Sequence, residues 1–162
     1  MGMDAEWERI GWVGVDAATV VFVDDARVGP DFVLSSSAVA GDAVANLTGI
    51  GVPAVLLRTG ADGDFPVEVV RAPDGTIAAA RICITSDVDE LEGTWEPLGE
   101  LAITGRVCLA ADPFCSPIDY YRFRFPLPNG AYAAEAFQAR EPDGTSVLAI
   151  RLRRPSAATP AP

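Results

Sequence analysis

Apolar and polar residues in this chain fall into short runs, without the wide stripes of amphipathic helices. Clusters of β-branched and apolar residues recur at close intervals, bounded by Gly, Pro and Asp, the pattern of strands separated by tight turns. Ten such runs predict strands near 10–15, 18–24, 53–59, 65–72, 76–85, 99–104, 106–112, 120–126, 131–140 and 145–153. Two connections are explicit. Pro73-Asp74-Gly75-Thr76 and Pro142-Asp143-Gly144-Thr145 each set Asp-Gly between strand-like runs, where Gly accepts the positive φ of a tight hairpin. In Tyr121-Arg122-Phe123-Arg124-Phe125, strict alternation puts rings on one face and two guanidiniums on the other. One stretch breaks the pattern: Ser35-Ser36-Ser37 offers hydroxyl caps to the small residues that follow, with Val39, Val44 and Leu47 apolar and Gly49 just beyond. It predicts one short helix near 36–47, weakened by Gly41.

The strands also repeat as a set. Gly63–Val70 lies over Gly130–Phe137 at an offset of 67, the Pro-Asp-Gly-Thr turns align at 69, and Val15–Asp24 lies over Ile103–Asp112 at 88. Each half reads strand, strand ending in Asp, connection, strand, Gly, long hairpin. The first half's connection is 21 residues longer (88 minus 67), and the expected helix lies within that excess. A five-strand unit has an apolar face that it cannot cover alone, so two copies share a core. The expectation is an all-β fold, a two-layer β-sandwich or flattened barrel of about ten strands. Residues 1–153 form one domain, with pseudo-repeats 10–85 and 99–153 and a linker at 86–98; the Pro/Ala/Ser/Thr tail 154–162 is expected to be disordered.

Composition narrows the chemistry. With 162 residues, 49% of them hydrophobic and 22% charged, the chain can bury a core. Twelve basic residues against 23 acidic ones give a net charge of -11, which argues against nucleic acid and anionic membrane surfaces as partners. All twelve are Arg. Without His or Lys there is no Ser-His-Asp or Cys-His catalysis, no histidine zinc site, no Schiff base and no P-loop lysine. No metal, cofactor or catalytic residue is expected. Met1–Arg9 carries Asp4, Glu6 and Glu8 instead of a basic, then apolar, leader, and no apolar stretch approaches the roughly 20 residues of a membrane helix, so the expected location is cytoplasmic. Cys83, Cys108 and Cys115 are an odd set that does not suggest a disulfide framework; Cys83 and Cys108 read as small core residues.

The candidate ligand-binding residues are Asp24, Asp62, Asp64, Asp112, Arg122, Arg124 and Tyr132. Asp62 and Asp64 offer two carboxylates to a hard cation, but the calcium-loop pattern stops there, and a tight turn launching a strand explains them. Asp24 and Asp112 end equivalent strands, where they could pair across the two halves or cap turns; capping is the commoner role. Gly49-Ile50-Gly51-Val52-Pro53-Ala54 spells a dinucleotide fingerprint with the helix on the wrong side. Asp87-Val88-Asp89-Glu90-Leu91-Glu92 reads as a solvated linker. Arg122 and Arg124 can hold an anion or pair with carboxylates. Trp7, Trp12, Trp95, Tyr120, Tyr121 and Tyr132 either line a barrel-mouth pocket or fill the core.

Gly14-Val15-Asp16-Ala17 through Val23-Asp24-Asp25, followed by Ala61-Asp62-Gly63-Asp64-Phe65-Pro66-Val67, resembles a family of uncharacterised bacterial proteins. Its members carry a Val-Asp-Ser-Gly strand ending in Asp-Pro and a Gly-Asp-Gly-x-Tyr-Pro-Val hairpin. Asp112-Pro113 and Gly130-Ala131-Tyr132 look like degenerate copies, and the chain departs from the pattern at Ala17-Ala18, Asp25 and Phe65. The resemblance covers most of 10–152 and implies an all-β fold with no established activity. From the residues, the leading expectation is a non-catalytic protein acting through protein–protein contacts or as a homo-oligomer, because sandwich edges can pair with another chain. The alternative is a barrel-like small-molecule binder, or a His-independent enzyme acting on a lipophilic substrate in an aromatic pocket.

Overall fold

A computed structural model describes residues 6–29, 44–46, 52–86, 88–142 and 144–154. The first half contributes β1 (Glu8–Val15), β2 (Thr19–Asp24), β3 (Val44–Asn46), β4 (Ala54–Arg58), β5 (Gly63–Arg71) and β6 (Ile77–Cys83). The second contributes β7 (Gly93–Ile103), β8 (Val107–Ala111), β9 (Arg122–Pro126), β10 (Gly130–Glu141) and β11 (Gly144–Arg153). Every pairing is antiparallel. One sheet has six strands in the order β1-β5-β6-β11-β10-β7; the other has five, β3-β4-β2-β8-β9, and the sheets do not close into a barrel. Leaving aside the three-residue β3, the described residues form ten strands, the number that the turn spacing predicts.

The alternation in each strand explains its place. In β5, Phe65, Val67 and Val69 point into the sandwich while Glu68 faces outward. β2 is buried on both faces: Val20 and Phe22 join the central core, and Val21 and Val23 join a second apolar cluster with Leu56 and Leu109. The central core draws on both sheets and both halves, with Phe22, Phe125, Tyr132, Ile82 and Ile150 among its members.

Two expectations are corrected here. Residues 36–43 and 47 of the expected short helix near 36–47 lie outside the described residues, but Val44–Asn46 is strand, paired with Val55–Leu57 of β4. Among the described residues no helix reaches seven residues. Helix propensity is a weak preference, and an open strand edge, with its row of unpaired amides and carbonyls, outweighs it. The linker is also shorter than 86–98, because β7 already begins at Gly93 and pairs along β10 from there.

The strand orders reveal an approximate two-fold axis. Reading β1-β5-β6 from the edge inward matches β7-β10-β11, and β4-β2 matches β9-β8, so the axis passes between Arg81 and Arg151 in one sheet and between Phe22 and Ala110 in the other. Local irregularities repeat as well. Bulges break the register of β1 between Arg9 and Gly11 and of β7 between Pro97 and Gly99. Ala18 and Arg106, 88 residues apart, both adopt positive φ, 55° and 65°. Their carbonyls accept from the amides of Thr59 and Leu127, at 2.9 and 3.0 Å.

Candidate functional site

The outward face of the six-stranded sheet carries a charged row. Register places Arg9, Glu68, Arg81, Arg151, Glu135 and Pro97 side by side across β1, β5, β6, β11, β10 and β7. Arg81 and Arg151 are therefore direct cross-strand partners at the axis, a repulsive pairing unless carboxylates surround it. They do. Arg81, only 5% exposed, donates from Nε to Glu68 (2.8 Å) and from Nη1 and Nη2 to the two oxygens of Asp89 (2.8 and 2.9 Å). Glu135 accepts from Arg151 Nε at 2.6 Å and from Arg153 Nη2 at 2.9 Å. Two indoles roof the row: Trp7 lies 4.3 Å from the Arg81 guanidinium carbon and Trp95 lies 4.0 Å from that of Arg151. Hydrogen bonds from Arg81 hold the Asp89 carboxyl below its ordinary range. Burial pushes Glu135 up, but its bonds from Arg153 and Arg151 outweigh that and leave it lowered.

Beside this row lie two seats related by the axis, and they differ. In the closed seat, Val88 of the connector between β6 and β7 is 2% exposed and packs into a cluster with Cys83, Phe137 and Ala149, edged by Trp95 and Leu148. Burial there pushes the Cys83 thiol up to about 12. Asp89, Glu90, Leu91 and Glu92 of this stretch are exposed, as a solvated linker would be, but its valine is buried and Asp89 meets Arg81. The open seat is lined by Arg153, Val70, Ala79, Trp7 and Ala78; the offsets of 67 and 88, with the shift of 70 that the Arg81–Arg151 pair at the axis sets along β6 and β11, assign these to Cys83, Phe137, Ala149, Trp95 and Leu148. It is a groove of about 470 Å³, completed by Arg151, Arg154, Trp95 and Asp89. Phe137 and Leu148 narrow the closed seat; Val70 and Ala78 leave the open one wide.

The residues singled out from sequence are placed elsewhere. Asp24 and Asp112 are buried turn braces, each reaching into the other half. Asp112 Oδ2 accepts from the amides of Asp16 and Ala17, both at 2.8 Å, and Asp24 Oδ2 accepts from the amide and hydroxyl of Thr104, at 3.0 and 2.6 Å. Asp24 faces Cys108 across the β2–β8 pair, four positions along β8 from Asp112, so their backbones are about 13 Å apart and the carboxylates form no pair. Asp62 is exposed, and exposed Asp64 accepts from the Tyr120 hydroxyl at 2.6 Å, which raises the tyrosine's pKa. Arg122 is buried opposite Ala111, whereas Arg124 pairs with Asp25 at 2.9 Å. Tyr132 fills the core, donating its hydroxyl to the Pro128 carbonyl at 2.6 Å.

The six aromatic candidates do not share one pocket: Trp12 and Tyr120 are about half exposed, and Trp7 and Trp95 roof the charged row. A further cavity of about 560 Å³, lined by Arg71, Thr76, Arg106, Leu127 and Asn129 among others, has no aromatic wall. Among the described residues no group of three or more Cys, Asp or Glu is arranged to hold a metal ion, and no helix is long and apolar enough to cross a membrane. Sequence reasoning missed the Trp–Arg–Glu sets and Val88. Part of the signal was available, since the offsets of 88 and 67 also carry Trp7 to Trp95 and Glu68 to Glu135; Arg81 and Arg151 differ by 70, a correspondence that only the β6–β11 register reveals. Comparison with protein-family models, with curated proteins and with solved structures finds no match to this chain.

Proposed function

We propose that this protein is a non-catalytic β-sandwich module that binds a protein partner through the open seat. One observation carries the reading: of two seats built on equivalent positions, one is filled by the chain's own connector and the other is a groove of about 470 Å³. A floor of Val70 and Ala79, indoles and several arginines suit a polypeptide contact, in which apolar and charge-assisted interactions act together. The lack of His and Lys supports a binding role over a catalytic one. Three free cysteines, none in a disulfide, support a cytoplasmic setting.

The test fills the groove with the side chains of its sibling. Val70→Phe with Ala78→Leu restores the bulk of Phe137 and Leu148 and should preserve folding, checked by thermal melting. Cross-linking in extract of the source cells, alongside light scattering of the pure protein, then compares this variant with the wild type. A stoichiometric partner, or a second copy, that the wild type holds and the filled variant loses supports the proposal. A partner retained by both, or a strict monomer with no partner, overturns it.

A further inference from the structure

The closed seat shows what the open one is shaped to receive. In the connector, an apolar residue and the carboxylate next to it act together: Val88 enters the cluster of Cys83, Phe137 and Ala149, and Asp89 meets both terminal nitrogens of Arg81. The axis carries Arg81 onto Arg151 and the cluster onto Val70, Ala79 and Arg153. The charge environment is preserved as well. Arg151 keeps Nε on Glu135, as Arg81 keeps Nε on Glu68, and Arg153 and Arg154 add further cations around the groove. In a chain with 23 acidic residues and 12 arginines, Arg81, Arg151, Arg153 and Arg154 gather on this one face.

Resting on the binding-module reading above, we infer that the open seat binds a short extended segment of a partner protein in which an apolar residue is followed directly by Asp or Glu, held as Val88–Asp89 is held by its sibling. The partner's apolar side chain takes the floor between Trp7 and Ala79. Its carboxylate bridges to the Arg151 guanidinium. The chain's own residues at the positions equivalent to Val88 and Asp89, 70 further on, are Ala158 and Thr159. They carry neither the apolar bulk of Val88 nor a carboxylate, so the segment inferred is one supplied by a partner.

The probe is a fluorescein-labelled peptide with the sequence of residues 85–92, Thr-Ser-Asp-Val-Asp-Glu-Leu-Glu, titrated with the full chain and read by fluorescence anisotropy. Saturable one-to-one binding is expected. Replacing the central Asp of the peptide by Asn, or its Val by Ser, should weaken binding about tenfold or more, the scale of one charge-assisted bidentate contact. The protein variant Val70→Phe/Ala78→Leu should lose binding while keeping its melting temperature. Because the peptide replacements leave the protein untouched, they remain decisive even if that variant folds poorly. No binding, binding indifferent to the Asp and Val replacements, or equal binding to a folded filled variant would overturn the inference. If the peptide fails while a cellular partner is still lost on filling the groove, the ligand chemistry is wrong and the binding-module reading stands.

Discussion

Replacing Asp112 by Ala measures how strongly the two halves brace each other. Its carboxylate is fully buried and accepts three backbone amides: Asp16 and Ala17 at 2.8 Å on one oxygen and Phe114 at 3.0 Å on the other. A hydrogen bond to a charged group contributes about 1.5–3 kcal/mol, and a turn or helix cap about 0.5–2. Asp16 and Ala17 are exposed, so their amides regain water, and the lower part of each range applies. The expected loss is about 3–4 kcal/mol. That is a large fraction of a typical total of roughly 5–15 kcal/mol, and it lowers the melting temperature by about 6–16 °C. Asp24→Ala should cost a similar amount, because Asp24 braces Thr104 and the Ala26 amide in the same way. Urea titration gives the free energies, and amide hydrogen exchange gives the location. Asp112→Ala should deprotect Asp16 and Ala17 in the other half, and Asp24→Ala should deprotect Thr104. The two losses should add, since the braces share no partner. A change within about 0.5 kcal/mol, or unaltered exchange at those distant amides, would refute the reasoning.

Three further outcomes are expected. Glu135 sits below its ordinary value of 4.5, so its contribution to stability is complete above that value and is lost as pH falls through the folded-state value. Glu135→Gln should therefore flatten the acid limb of a stability–pH curve and cost about 1–3 kcal/mol at neutral pH; an unchanged limb counts against the ion-pair account. Burial pushes Cys83 up to about 12 and Cys115 up to about 11, and holds Cys108 well above its ordinary value, so at pH 8 an aromatic disulfide reagent should label the folded protein far more slowly than the urea-unfolded chain. One rapidly labelled cysteine would contradict this. Ala18, at φ 55°, carries left-handed strain that Gly does not, so Ala18→Gly should gain about 0.5–1 kcal/mol; destabilisation in thermal melts would show that the turn is unstrained.

Much of the fold was legible because its elements are written locally. Asp74-Gly75 marks a hairpin, alternation in Phe65-Pro66-Val67-Glu68-Val69 assigns faces, and the offsets of 67, 69 and 88 anticipate the matching strand orders. Val44–Asn46 was misread because its strand state depends on the edge of β4, a partner distant in sequence. Val88 was misread for a related reason: the acids around it at Asp89, Glu90 and Glu92 are exposed, and nothing local shows that the valine among them fills a pocket and that Arg81 lies against Asp89. The candidate site was the least legible part. Arg81 and Arg151 are adjacent only through β6–β11 pairing, and no local pattern distinguishes a carboxylate that braces a turn, such as Asp112, from one that meets a ligand.

Joining two like units head to tail yields a single bridge for a pair of equivalent hollows, so the molecule is lopsided in chemistry although nearly regular in backbone. Changes beneath Val88 disturb packing that the native state depends on. Changes around Val70 and Ala78 alter mainly the width of an unfilled groove. One flank can thus be re-cut while its twin keeps the structure intact, a division of labour that a lone five-strand unit has no means to achieve.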